Sequence, residues 1–154
     1  MWSSEVRDCA ATGPKRDVEV YLPGPLVYVD TSDVRAGRLE ELKDAIKELV
    51  GFIESNEPRI VAYNVYFSDD WRQMTVIHAH VDCVSLEYHM DIAGPAFGPF
   101  ADLVTLSSIC IYAEPSEKAL RQLHDKAQLL GRGAVSVHRP HAGFTRFAAD
   151  RREN

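Results

Sequence analysis

Several things this 154-residue chain lacks narrow its function before any motif is read. It has no run of basic residues longer than Arg151–Arg152, and its formal net charge is −6. That balance provides no cationic surface for a phosphate backbone, so no nucleic-acid partner is expected. Residues 1–25 contain Glu5, Arg7, Asp8, Lys15, Arg16 and Asp17 and no apolar core, a pattern of neither a signal peptide nor a membrane helix. The expectation is a cytoplasmic protein without a membrane partner. Cysteine is scarce: Cys9, Cys83 and Cys110 are an odd, widely spaced set with no C-x-x-C pair, which fits reduced thiols rather than a disulfide framework or a zinc site. There is no internal repeat and no low-complexity tract.

What remains is the composition of one compact domain, 45% hydrophobic. Periodicity divides it into an N-terminal extension (1–25), a central unit (26–113) and a C-terminal helix with an extended tail belonging to the same domain (114–154). The extension holds one strand-like piece, Val18–Leu22, closed by Pro23-Gly24-Pro25. In the central unit, LVYVDT at Leu26–Thr31 alternates as a strand. From Arg38 to Ser55, Leu39, Leu42, Ile46, Leu49, Val50 and Ile53 recur at helical steps. Arg59–Phe67 and Gln73–Asp82 form a hairpin across Ser68-Asp69-Asp70. A second helix begins at Ser85–Met90 and is interrupted at Gly94-Pro95 and Gly98-Pro99. Ser107–Ala113 is a fourth strand. The order βαββαβ predicts an α+β, ferredoxin-like antiparallel sheet with both helices on one face. Beyond it, Pro115 opens and Gly131 closes a third helix, followed by AVSVH and GFTRF as two short strands or one extended edge.

Three histidines are concentrated in the segment MTVIHAHVDCVSLEYH. His78 and His80 share one face of a strand, about 6.5–7 Å apart along it, and His89 follows on the next helix. Hydrophobicity assigns Val27, Val29, Val61, Val65, Phe67, Ile77, Ala79, Val81, Ile109 and Ile111 to the helix-covered face. Tyr28, Asp30, Asn64, Tyr66, His78, His80, Ser108, Cys110 and Tyr112 fall on the other, too aromatic a face to be left fully open. Such a face is expected either to line a ligand cavity or to pack on a partner subunit's sheet; packed on a partner, His78 and His80 serve the interface while His89 points into the helix–sheet gap. His78 and His80 also share a face as zinc-binding His-x-His pairs do. A metal-dependent enzyme would need a third ligand from His89, Asp30, His138 or His141, and no metal is expected.

The segments RLEELKDAIKELVGFIESNEPRIVAYNVYFSDD and DCVSLEYHMDIAGPAF resemble the first helix, acidic-Pro exit and second strand, and the histidine-bearing helix, of the antibiotic biosynthesis monooxygenase-like group of dimeric α+β barrels. The resemblance spans roughly Leu26–Ala113. It implies a homodimer packed sheet to sheet and a pocket between sheet and helices in each protomer. It further implies, in some members, oxidation of polycyclic phenols by oxygen without metal or flavin. His89 matches the pocket histidine, an acid/base candidate. The asparagine that haem-degrading relatives carry on the first strand is absent from LVYVDTSDV. The tryptophan near the end of the third strand is replaced by His80 or Val81, and Trp71 lies back in the hairpin turn, so haem degradation is not expected.

The resulting candidates are His89, Asn64 and Tyr66 as catalytic residues, and Tyr88, Phe97, Phe100 and Trp71 as ligand-binding residues. The function expected is that of a small-molecule-binding homodimer, acting as a cofactor-independent monooxygenase on a small aromatic ligand that is phenolic or quinol-like. The alternative is a non-catalytic ligand-binding or dimerisation module. The Gly94–Pro99 joint, which carries Phe97, reads either as an ordinary connection or as a mobile pocket wall.

Overall fold

The computed structural model describes residues 24–146, so Cys9, the piece at Val18–Leu22 and residues 147–154 lie outside the described residues. Its elements are β1 (Leu26–Val34), α1 (Leu39–Asn56), β2 (Ile60–Phe67), β3 (Gln73–His80), α2 (Cys83–Ala93), β4 (Val104–Tyr112), α3 (Glu117–Leu130) and β5 (Ala134–His138). Two 3-10 turns, Gly94–Ala96 and Gly98–Asp102, join α2 to β4. The sheet order is β2-β3-β1-β4-β5. The first four strands are antiparallel neighbours and form the expected ferredoxin-like unit. β5 adds a parallel edge beside β4, because the chain crosses back through α3 before pairing. Of the two tail segments, AVSVH becomes this strand, whereas residues 143–146 are not in a strand.

Local chemistry sets each boundary. α1 buries Leu42, Ile46, Leu49 and Ile53, the four- and three-residue steps of its apolar stripe. Asp82 caps α2 by accepting from the Ser85 backbone N–H at 2.8 Å, and Ser116 caps α3 from Ala119 at 3.1 Å. Prolines at 95 and 99 remove amide donors, and the chain continues there as two short turns hinged at Phe97 rather than as α-helix. Gly131 ends α3 at φ +147°, where a Cβ would lie 2.8 Å from the Leu106 backbone nitrogen, so glycine lets the helix finish directly against β4.

The structure corrects the assignment of sheet faces. On β1, Leu26, Tyr28, Asp30 and Ser32 point into the helices, and on β3, Met74, Val76, His78 and His80 do. Val27, Val29 and Ile77 are half-buried on the opposite, open face. The assignment holds elsewhere: Ile109 and Ile111 are buried, and Val65 and Phe67 pack against the core. A register shift in the β1–β4 ladder, which skips Ser107, lets Leu106 and Ile109 both face inward. A second shift between Ile60 and Ala62 turns Val61 outward. Hydrophobicity misplaces β1 and β3 because their inward polar groups are paired by residues from distant segments, which single-strand alternation cannot register.

Candidate functional site

The inversion brings the three histidines together under the helices. β3 carries His78 and His80 on its inward face. α2 buries Ser85, Leu86, His89, Met90 and Ala93, so His89 faces the same space. Ring centroids are 5.4 Å apart for His78–His89, 5.5 Å for His80–His89 and 6.5 Å for His78–His80. All three side chains are wholly buried. His78 and His80 therefore do not lie on a face available to a partner subunit. Tyr28 stacks on His78 at 3.8 Å, Tyr63 meets its edge at 4.7 Å, and Phe97 lies 6.1 Å from His89.

Each imidazole is anchored through one nitrogen. His78 Nε2 lies 3.0 Å from Asp30 Oδ2, to which Lys126 Nζ also donates at 2.6 Å. Burial pushes the Asp30 carboxyl up, but the Lys126 ammonium and the bond from His78 outweigh it and hold the group well below the usual carboxylate range. An ionised carboxylate only accepts, so His78 carries its proton on Nε2. His89 Nδ1 faces both Glu57 oxygens, at 2.9 and 3.0 Å, so Nδ1 donates to that carboxylate and Nε2 is turned away from it. His80 Nδ1 shares a 2.9 Å hydrogen bond with Ser85 Oγ.

The second nitrogens, His78 Nδ1, His80 Nε2 and His89 Nε2, are buried without a partner, as is the Tyr28 hydroxyl. Burial keeps two of the rings neutral. It drives His78 well below the ordinary histidine value despite its bond to Asp30, and burial together with the field of His89 brings His80 down to about 3. Burial, reinforced by Asp30, raises the hydroxyls of Tyr28 and Tyr63, which are therefore held as donors rather than anions. Among the described residues, no group of three or more His, Cys, Asp or Glu side chains is arranged to hold a metal ion. The arrangement suits proton transfer: a histidine polarised by a buried carboxylate, beside neutral imidazoles and a buried ion pair.

A cavity of about 30 Å³ lies next to this cluster, bordered by Asp30, Tyr63, Phe97, Phe100 and Lys126 among others. The histidines stand one side chain behind its wall, screened by Tyr63 and Phe97. An outer groove of about 200 Å³ runs between the Gly94 turn and α3, bordered by Met90, Gln122, Asp125 and Leu129. Phe97 and Lys126 border both spaces.

No family model matches the sequence, and no curated protein matches it either. Solved structures do. MupZ from Pseudomonas fluorescens is similar over 81% of this chain and 91% of its own, with a TM-score of 0.63 at 14% identity. Rv0793 from Mycobacterium tuberculosis aligns with 61% of this chain and 98% of its own, with a TM-score of 0.53 at 14% identity. SnoaB, a cofactor-independent oxygenase from Streptomyces nogalater, aligns over 60% and 94%, with a TM-score of 0.51 at 15% identity. The chain shares the α+β, ferredoxin-like fold of these proteins. At these identities the likeness is one of fold, and the site must be argued from this chain's own residues.

Within that fold, the candidates named from sequence separate into two groups. His89, Phe97 and Phe100 are buried and adjoin the cavity or its backing cluster. Asn64 and Tyr66 lie on the open face of β2, exposed and on the other side of the sheet from His89. Tyr88 is exposed on α2, its hydroxyl 3.4 Å from the Asn56 carbonyl, and Trp71 is exposed at the hairpin tip beneath Lys43. The structure thus gathers none of these four with His89. The sequence groups Tyr28 and Asp30 with His78 and His80 but turns them to the wrong side of the sheet, and it does not point to Glu57, Tyr63 or Lys126. Lys126 left a signal, since it lies three residues after Leu123 and four before Leu130, on the buried stripe of α3. Glu57 left none beyond its place before Pro58, and its burial comes from α2 closing over the end of α1.

Proposed function

We propose that this protein is a small-molecule enzyme that uses His89 as a general base on a phenolic or quinol-like substrate, in the manner of a cofactor-independent oxygenase. One observation carries the reading: His89 Nδ1 is held by both Glu57 oxygens while its Nε2 is buried and unpartnered. Nε2 takes a proton from an acidic hydroxyl, and the Glu57 carboxylate stabilises the imidazolium that forms. The substrate anion left behind is electron-rich enough to react directly with dioxygen. Support from outside the chain is the shared fold with SnoaB, itself a cofactor-independent oxygenase.

Oxygen uptake tests the reading. With a panel of anthrones and hydroquinones, the wild-type protein is expected to consume oxygen in step with substrate loss, and His89→Ala to slow turnover about 10²–10⁴-fold, the usual contribution of a positioned base. Glu57→Gln should slow it less while leaving substrate bound. The small inner cavity favours a second reading, a closed ligand-binding module. Saturable binding without oxygen uptake would decide for that one.

A further inference from the structure

We propose that Lys126 is the specificity-determining residue of this site: its ammonium, carried on α3 outside the βαββαβ unit, holds the negative oxygen of an aromatic substrate whose ring takes the place of the Phe97 side chain. The proposal rests on the reading of His89 as base and names the substrate class that base would serve, a ring bearing a hydroxyl conjugated to a carbonyl.

The placement of Lys126 is unusual for an ion pair that serves stability alone. Its side chain is 6% exposed, and one N–H is given to Asp30. Asp30 also accepts a hydrogen bond from His78 Nε2, so the carboxylate has a second donor independent of the lysine. The ammonium lies over the faces of Phe97 and Tyr28, at 4.8 and 5.3 Å from their centroids, where aromatic π-clouds stabilise a cation. Such an ammonium has N–H donors to spare and sits where two spaces meet.

Phe97 supplies the geometry. It and Lys126 separate the outer groove of about 200 Å³ from the inner cavity of about 30 Å³. The inner space suits about two water molecules, whereas a cavity that takes benzene is roughly 150 Å³, so a substrate ring reaches His89 only where Phe97 now stands. The Phe97 ring lies 6.1 Å from the His89 ring and 4.8 Å from Lys126 Nζ, between base and cation. It sits at the joint of two 3-10 turns, each closed by a local hydrogen bond, Phe97 N–H to the Gly94 carbonyl and Phe100 N–H to the Phe97 carbonyl, both 3.0 Å. Nothing lies within 4 Å of where a Cβ would stand on Gly94 or Gly98, so neither glycine is wedged against another element. At the groove side, Gln122 Oε1 is buried and unpartnered, ready to accept from a further hydroxyl of the ligand.

The chemistry balances without an oxidant. The substrate O–H bond breaks and an N–H bond forms at His89 Nε2. The electron pair stays on the ring, is delocalised onto the conjugated carbonyl oxygen, and is held there by the Lys126 ammonium.

The test uses 4-hydroxybenzaldehyde, whose neutral and anionic forms have distinct ultraviolet spectra, at a pH below its own pKa. Wild-type protein should bind it with the anion spectrum, and His89→Ala should bind it as the neutral form. Because Lys126→Met alone leaves Asp30 uncompensated, it is paired with Asp30→Asn, which keeps an acceptor for His78. The double variant should lose the anion spectrum and bind at least about tenfold more weakly, as loss of a charge-assisted contact predicts. Phe97→Ala should raise the association rate about tenfold or more while keeping the anion spectrum, and Phe97→Leu should fall between. An anion spectrum that survives in the Lys126 double variant, an association rate indifferent to Phe97, or no anion spectrum with wild-type protein overturns the proposal. An anion that still forms in His89→Ala instead overturns the reading of His89, so the two failures are distinguishable.

Discussion

On the covered face of β1 and β3, Tyr28, Asp30, His78 and His80 are buried, and on the open face of the same strands Val27, Val29 and Ile77 are only half-buried. Stability alone favours the reverse, since apolar surface gains roughly 25 cal/mol per Å² on burial while each unpartnered buried polar group costs about 1–3 kcal/mol. Four such atoms, Tyr28 Oη, His78 Nδ1, His80 Nε2 and His89 Nε2, sit in one ring cluster. A fold keeps such groups where they are used, and pairs them elsewhere in the chain to make the burial tolerable. Here the pairing comes from Lys126 on α3, Glu57 at the end of α1 and Ser85 on α2.

The comparison breaks most sharply at the buried ion pair. Lys126→Met leaves the Asp30 carboxylate buried with a single donor, and urea denaturation should show a loss of about 3–5 kcal/mol. Adding Asp30→Asn should restore most of it. If the single variant is as stable as wild type, the covered face does not depend on this pairing.

Acidification is the next largest lever. His78 and His80 have depressed folded-state values, so below the ordinary value of 6.5 the unfolded chain binds protons that the folded chain does not. Their contribution is fully present above pH 6.5 and is lost as the pH falls towards their folded values, at up to about 1.4 kcal/mol per unit for each ring. Asp30 acts in the same direction at lower pH, where protonation ends its pairing with Lys126. Thermal unfolding should therefore show a falling Tm from pH 7 to about pH 5, and His80→Gln should flatten the slope. A flat wild-type profile across that window would mean that the rings are not held neutral.

Much of this was legible in the sequence, and the errors have one cause. The βαββαβ order and the interrupted second helix follow from periodicity and Gly-Pro breaks, which are local signals, whereas the inward-pointing His89 follows only from the family resemblance. The orientation of β1 and β3 follows from neither, because alternation supplies two faces and hydrophobicity chooses between them only when polar groups lack partners. Asp30 found its partners 48 and 96 residues away in His78 and Lys126. That same choice of faces placed Asn64 and Tyr66 with the histidines, when they belong with Val29 and Ile77.

The open face gives a smaller effect on the fold and a larger one on assembly. Half-buried Val27, Val29 and Ile77 beside exposed Tyr66 and Tyr112 form the surface through which we expect a homodimer. Ile77→Lys should convert it to a monomer in sedimentation analysis while changing protomer stability far less than Lys126→Met. A wild-type monomer at micromolar concentration would remove the reason for that surface.

The smallest expected effect separates the two faces most cleanly. Asn64 and Tyr66 are the polar residues on the open face of β2, and no hydrogen bond links either to the histidine cluster across the sheet. Side chains on opposite faces of a strand are divided by the backbone itself, so neither can touch a substrate in contact with His89. Asn64→Ala and Tyr66→Phe should thus stay within about 0.5 kcal/mol of wild-type stability, as exposed substitutions do, and change turnover less than about twofold. His89→Ala, on the other side of the sheet, should abolish most of it. A large loss of turnover in Asn64→Ala, with the protein still folded, would move the chemistry to the open face and make the polar interior a structural network instead.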